Sequence, residues 1–239
     1  MSMNEWAIGQ VKSGNLEAAE AGRRLAKKYG EIPLPHQSAH PQSHELSPIT
    51  VARFTPEARE GLTNEGFVIY ELTGRSIKTL RDDESRPFCS TWHKNHPKLE
   101  ATSSRLSEVA FDPAQLLLPN SNKKTLEQQE LMVREFSKGL AKKAKIDDVE
   151  AIIGEMSDYT DLVFAHFEAT GVCLFGKDCG YNYARTITPT VESFVALVGY
   201  FRAVDGLDVR SWHRDNGFDH VFASPLVVPA SPTGWPKAA

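Results

Sequence analysis

Residues 206–229 read GLDVRSWHRDNGFDHVFASPLVVP. Apolar residues alternate with others at the start and run together at the end, so the stretch predicts two β-strands around a loop. The loop concentrates polar, titratable and aromatic side chains. Besides Trp212, the side chains in question are Arg210, Ser211, His213, Arg214, Asp215, Asn216, Phe218, Asp219 and His220. Such a loop is either an active site or a displayed surface.

The chain around this stretch predicts an α+β fold. YNYARTIT, SFVALVGYF, GLDVRSW and HVFASPLVV are rich in β-formers and are separated by turn residues, which predicts a β-rich C-terminal module at about residues 172–230. At the other end, residues 16–29 predict a helix, and a proline-rich linker follows. We therefore divide the chain into a helix and linker over residues 1–45 and an α+β domain over 46–239.

Regular elements are also predicted between the linker and the C-terminal module. Strands are expected at residues 67–72, 108–111 and 116–118, with a short helix at 76–81. Thr125 and Gln128 form a capping box that begins an amphipathic helix. Ser157 is predicted to cap a further helix, which ends near Gly171.

Composition excludes several classes of function. The net charge of −4 and the absence of an apolar run near the roughly 20 residues that span a bilayer point to neither a membrane nor nucleic acid. The basic face of residues 123–145 has no interleaved aromatic residues, which favours a solvated surface. No secretory signal is evident, and three cysteines are too few for a disulfide framework, so a cytoplasmic location is expected. Motifs for phosphate or dinucleotide binding are missing, and no cofactor is predicted.

One alternative is a metal-dependent hydrolase or nuclease. Cys89, His93 and His96 form the best local set of potential ligands, although a structural zinc site needs about four ligands and a catalytic one needs three plus water. His36, His40 and His44 have helical spacing, but the prolines of that segment forbid the helix. A thiol nucleophile at Cys89 is a further alternative.

The loop itself offers two imidazole–carboxylate pairs, His213 with Asp215 and His220 with Asp219. In an extended segment, adjacent side chains point to opposite faces, which weakens the catalytic reading. Composition suggests something else. Across residues 178–234, only Glu192 and Trp212 belong to the set of Lys, Glu, Gln, Met and Trp, the five amino acids that have no codon ending in a pyrimidine. A β-rich segment is poor in Lys, Glu and Gln for structural reasons as well.

Several segments of the chain resemble a group of bacterial proteins. The segments SIKTLRDDESRPFCSTWHKNHP, QLLLPNSNKKTLEQQE, AIIGE, YNYARTITPT and VFASPLVVP resemble a group of uncharacterised proteins of candidate-phyla bacteria. In that group, a GLxVxxW frame precedes a loop of varied residues. The pattern is similar to the variable proteins of diversity-generating retroelements, in which error-prone copying of adenines varies fixed positions.

The resemblance implies a C-type-lectin-like module that displays the varied residues. Gly206, Leu207, Val209, Trp212 and 221–229 would form the constant frame, and the nine loop residues named above would be the ligand-binding positions. In protein interfaces, Arg and aromatic side chains supply most of the binding energy, while Ser, Asn and Asp supply adaptable hydrogen bonds. We therefore expect a non-enzymatic binding protein whose ligand is a protein or peptide, with the metal-dependent hydrolase as the alternative.

Overall fold

Two antiparallel-rich sheets are joined by the stretch of sequence from residue 206 to 229. The fold is taken from a computed structural model, which describes residues 51–82, 88–89, 96–176, 181–203 and 205–230. The predicted N-terminal helix, the proline-rich linker and the boundary near residue 46 lie outside the described residues. The described elements mix helices and strands, so the α+β prediction is confirmed at that level.

Five helices are described. The two long ones have strong local start and stop signals: α4 begins after Thr125, which forms the predicted capping box with Gln128, and α5 ends at Gly171, whose φ of 73° suits glycine. The helices are α1 (Pro56–Asn64), α2 (Ile77–Arg81), α3 (Pro97–Glu100), α4 (Leu126–Ala144) and α5 (Met156–Thr170).

Eight strands are described, and they form two four-stranded sheets. The strands are β1 (Val68–Glu71), β2 (Glu108–Phe111), β3 (Val149–Ile152), β4 (Tyr183–Pro189), β5 (Phe194–Arg202), β6 (Gly206–His213), β7 (Val221–Phe222) and β8 (Leu226–Pro229). The first sheet has the order β1-β2-β8-β3, with every pair antiparallel. The second has the order β6-β5-β4-β7, in which β4 and β7 are parallel and the other pairs are antiparallel.

The C-terminal stretch crosses from one sheet to the other. β6 is an edge strand of the second sheet, β7 is its opposite edge, and β8 then lies between β2 and β3 in the first sheet. Most strands between residues 172 and 230 thus form one sheet, while β8 belongs to the other. Residues 223–225 make this crossing and are all buried. Both ends of the loop between β6 and β7 are therefore fixed by core strands.

The core follows from the alternation of side chains along the strands. Leu226 and Val228 of β8 pack with α5 and the inner face of the second sheet, whereas Val227 faces α1 and α4. A third, smaller cluster lies on the other face of the second sheet. It consists of Tyr183, Leu197 and Val221, with Tyr200 and Trp212 packed against it.

Two sequence expectations are wrong. Residues 116–118 form no strand. The Leu118 amide instead donates a hydrogen bond of 2.9 Å to the Ala223 carbonyl. Ser157 is not the cap of α5, because Glu155 occupies the N-cap and forms a capping box with Asp158. A glutamate is an infrequent cap, which is why sequence preference favoured the serine. Among the described helices, none has the length and apolar character needed to cross a bilayer.

Candidate functional site

The structure places the loop residues on the surface and most of their frame in the interior, while Trp212 is half-buried like its neighbours. Gly206, Leu207 and Val209 are buried, and so is nearly all of 221–229. Arg210 has 64% of its side chain exposed. Ser211 and His213 are half-buried, and every residue from 214 to 220 is exposed. All nine residues that the sequence singled out thus lie together, with some surface available on each.

The loop from 214 to 220 folds over the outer face of the second sheet. Trp212 packs on the small cluster of Tyr183, Leu197 and Val221. Phe218 reaches back from the loop, with its ring centroid 4.5 Å from that of Trp212, and the His220 ring lies 5.6 Å from Phe218. Trp212 therefore supports the loop through its contact with Phe218.

Arg185 of β4 is fully buried beneath this loop. One terminal nitrogen of its guanidinium donates to the carbonyls of His213 (3.2 Å) and Arg214 (2.8 Å). The other donates to the carbonyls of Asn216 (2.8 Å) and Lys124 (3.3 Å). Burial lowers the pKa of Arg185 to about 10, while Asp215 acts in the opposite direction, so the group is charged at neutral pH.

Other scaffold groups bind further carbonyls of the loop and of β7. The amide of Lys123 donates to Phe218 (3.0 Å), the amide of Tyr183 donates to His220 (2.8 Å), and the amide of Leu126 donates to Arg214 (2.7 Å). Side-chain amides of Asn122 and Gln129 donate to the carbonyls of Asp219 and Val221. Every one of these acceptors is a main-chain atom, which is present whatever residue occupies the position.

The loop contains one glycine, Gly217, and its position has no space for a side chain. A Cβ at this position would lie 2.3 Å from the carbonyl carbon of Lys123 and 2.7 Å from its Cα. Because these are backbone atoms, relief would require the loop and the start of α4 to move apart. Gly217 therefore belongs to the frame, although its neighbours on both sides are displayed.

A buried carboxylate, that of Asp208, lies beneath the end of the surface where Arg210 is displayed. Asp208 accepts hydrogen bonds from the Tyr183 hydroxyl (2.8 Å) and from Arg210 Nε (2.5 Å). Desolvation raises the pKa of the Tyr183 hydroxyl, and its hydrogen bond to Asp208 raises it further, so the phenol is neutral and donates. This pairing ties the displayed Arg210 to a fixed anion.

Neither predicted dyad has the geometry of an oriented general base. His213 Nδ1 accepts a hydrogen bond from the Asp215 backbone amide (3.1 Å), and the Asp215 carboxylate is 3.9 Å away. His220 Nδ1 lies 3.2 Å from Asn182 Oδ1, while the Asp219 carboxylate pairs with Lys123 at 3.0 Å. A base held for proton transfer needs a partner that fixes its ring and tautomer. The loop supplies no such carboxylate to either histidine within hydrogen-bond distance in the described structure.

The alternative metal site is only partly described. Cys89 and His96 are described, whereas His93 and the residues His36, His40 and His44 lie outside the described residues. Within the part of the chain that the structure describes, no three His, Cys, Asp or Glu side chains lie together as potential metal ligands. The metal site therefore stays a prediction.

The Cys89 thiol has surroundings that disfavour a thiolate. Desolvation raises the pKa of Cys89, the Asp208 carboxylate raises it further, and Arg210 opposes them. A catalytic cysteine needs a pKa below its ordinary value. Cys89 instead takes part in the fold, because its amide donates to the Leu207 carbonyl at 3.0 Å.

Sequence reasoning missed Arg185, Asn122 and Gln129, which hold the loop. A signal for the first was present: YNYARTIT places an arginine within a predicted strand, two positions after Tyr183 and so on the same face. A charged residue at such a position is unusual enough to mark a specific role. No comparable signal identifies Asn122 or Gln129.

The contact at Gly217 yields the first prediction. Gly217→Ala should lower the free energy of unfolding by about 1–3 kcal/mol, because its methyl group cannot fit without a backbone shift. Asn216→Ala, the matched control, should change it by less than about 0.5 kcal/mol, since the main-chain N–H and carbonyl of Asn216, which make the hydrogen bonds, are kept. Urea denaturation measures both. Equal effects for the two variants would contradict the division between frame and displayed positions.

Comparisons with known proteins assign neither a family nor a function to this chain. No protein-family model, no curated protein and no solved structure matches this chain. The surface itself is therefore the basis for a function: groups of the scaffold hold the backbone of the loop, and the side chains of residues 214–220 are exposed.

Proposed function

We propose that this protein is a non-enzymatic binding protein, which recognises a protein or peptide ligand through the loop residues 210–220. The single observation that carries the proposal is the way the loop is held. Arg185 and the backbone amides of Lys123, Leu126 and Tyr183 bind main-chain carbonyls of the loop. The loop conformation is therefore largely independent of its side chains, which is what a surface of replaceable residues requires.

The chemistry of the displayed side chains supports recognition of a protein. Phe218 has 41% of its surface exposed, and it is joined by arginine, histidine, serine, asparagine and aspartate. Such residues combine aromatic anchors with adaptable hydrogen bonds at a low cost in conformational entropy. The charges also largely pair, Arg210 with Asp208 and Asp219 with Lys123. A phosphate backbone would instead call for an excess of cations.

The resemblance to variable proteins of diversity-generating retroelements belongs to the same proposal. On that view, the second sheet and its loop would be the C-type-lectin-like module, and Trp212 and Gly217 would be constant positions between varied ones. The division into buried frame and exposed loop residues supports this view, as does the steric limit at Gly217. A cytoplasmic location is part of the proposal, and Cys89 and Cys173 are free thiols.

The role of Arg185 can be tested directly. Arg185→Met should lower the free energy of unfolding by about 3 kcal/mol and accelerate amide exchange across the loop, because several main-chain carbonyls lose a charged donor. Arg214→Met removes an exposed arginine, so both quantities should stay near those of the parent protein. Hydrogen exchange followed by mass spectrometry reports on residues 213–221. If Arg185→Met leaves loop exchange unchanged, the loop is not held as proposed.

Recognition itself is tested by selection. We expect a surface-displayed library of the full chain, randomised at the nine displayed positions, to yield clones that bind lysozyme as an arbitrary protein probe. The control library randomises the same number of exposed positions on α4. Failure of the loop library, with most clones folded, would contradict the proposal. Equal success of the α4 library would show that the loop has no special capacity.

The retroelement part of the proposal has a separate test in the DNA around the gene. We expect a near-identical repeat of the segment that encodes residues 206–229, with adenines aligned to the codons of displayed residues and not to those of Gly217 or Trp212. Sequencing the locus provides the measurement. If no such repeat exists, diversification is excluded as the origin of the loop, whereas its binding role is judged by the selection experiment.

A further inference from the structure

A continuous strip of side chains extends from the displayed loop across the outer face of the second sheet. Phe218 contacts His220, and His220 Nδ1 lies 3.2 Å from Asn182 Oδ1. Tyr181, which precedes Asn182 in the chain, stacks on Tyr200 with centroids 4.7 Å apart and ring planes 16° apart. These contacts connect the loop to a pair of aromatic rings that lie outside it.

The strip ends in a cation over an aromatic ring. The guanidinium carbon of Arg202 lies 5.6 Å from the centroid of the Tyr200 ring, and Arg202 also forms an ion pair with Asp205. Tyr181 is 65% exposed, the largest exposure among the large hydrophobic residues described as exposed. We refer to Tyr181, Tyr200 and Arg202 as the tyrosine platform.

The backbone is strained where it presents the platform. Tyr200 has a φ of 45°, a left-handed conformation that is rare for an aromatic residue and that costs about 1–3 kcal/mol. Its neighbour Gly199 has no space for a side chain, since a Cβ there would lie 2.4 Å from the Asn182 carbonyl oxygen. The pairing of β5 with β6 shifts register between Gly199 and Arg202. A strained aromatic residue at a bulge is typical of a functional position.

The size of the loop is a second argument. A stable protein–protein interface buries roughly 800 Å² on each partner and involves about 20–30 residues a side. The displayed loop residues number nine. β5, which is 9 residues long, runs about 27 Å from beside His213 to the tyrosine platform. The strip adds Asn182 and the tyrosine platform to the nine loop residues, so it comes closer to the size of a standard interface than the loop does by itself.

From these observations we infer that the tyrosine platform is the constant half of the binding surface, and that the ligand is a folded protein whose flat face covers platform and loop together. This inference rests on the proposed function. Its ligand presents aliphatic groups to Tyr181 and Phe218, and it carries little net charge, because Arg202, Arg210 and Asp219 already have partners of opposite charge.

The test uses several independent lysozyme-binding clones from the loop library. Tyr181→Ala is introduced into each clone in the full chain, and Kd is measured by biolayer interferometry. We expect binding to weaken about tenfold or more in most clones, as for an aromatic anchor of an interface, and Tyr181→Phe to retain most of the affinity. The control is Leu131→Ala on α4, a 53% exposed side chain outside the strip, which should change Kd by less than twofold.

The outcomes separate this inference from the proposed function. Clones whose Kd is unchanged by Tyr181→Ala would overturn the inference and leave the loop as the whole binding surface. A library without any binder would overturn the proposed function, and the inference with it. A parent protein that forms dimers in sedimentation experiments, with dimers lost in Tyr181→Ala, would assign the platform to self-association and overturn it too. Thermal unfolding confirms that each variant is folded.

Discussion

The buried guanidinium of Arg185 is the interaction on which the loop depends. Taking a cation out of water is costly, and it is tolerated only where hydrogen bonds replace the lost hydration. Here those bonds go to main-chain carbonyls of residues 124, 213, 214 and 216. The guanidinium thus joins the start of α4 to the loop after β6. Because carbonyls are common to all residues, the constraint acts on the path of the chain and not on its side chains.

The position of the loop between two cores reinforces this separation. β6 is paired along its length with β5, and after the loop the chain passes through β7 and the buried residues 223–225 into the middle of the first sheet. The strands before and after the loop therefore supply most of the stabilising contacts of this segment. Apart from Gly217, which has no room for a side chain, residues 214–220 contribute little to either core, so their side chains can change with small effect on stability. Under the proposed function, stability and recognition would depend on different atoms of the same segment.

Much of this arrangement could be predicted from local sequence. Alternation at residues 206–209 and the apolar run at 226–229 identify buried strands, and the polar residues between them identify an exposed loop. The holding interactions could not be predicted, because Arg185 and its loop acceptors are 28–31 residues apart in sequence. The residues 116–118 look like a strand for the same reason: their apolar pattern is local, whereas strand pairing depends on distant partners.

The structure also explains why a crowd of histidines and aspartates need not be catalytic. Proton transfer requires the side chain of a base to be fixed with its partner, so the constraints of an active site fall on side-chain atoms. In this loop, the fixed atoms are carbonyls, and His213 and His220 find an amide and a side-chain oxygen in place of a carboxylate. Left-handed backbone occurs at Tyr200, within a strand of the sheet, and at Lys123, whose amide holds the Phe218 carbonyl, and both residues lie outside the loop. Under the proposed function, a fixed pair of tyrosines beside replaceable loop residues would let the surface keep part of its binding energy while its specificity changes.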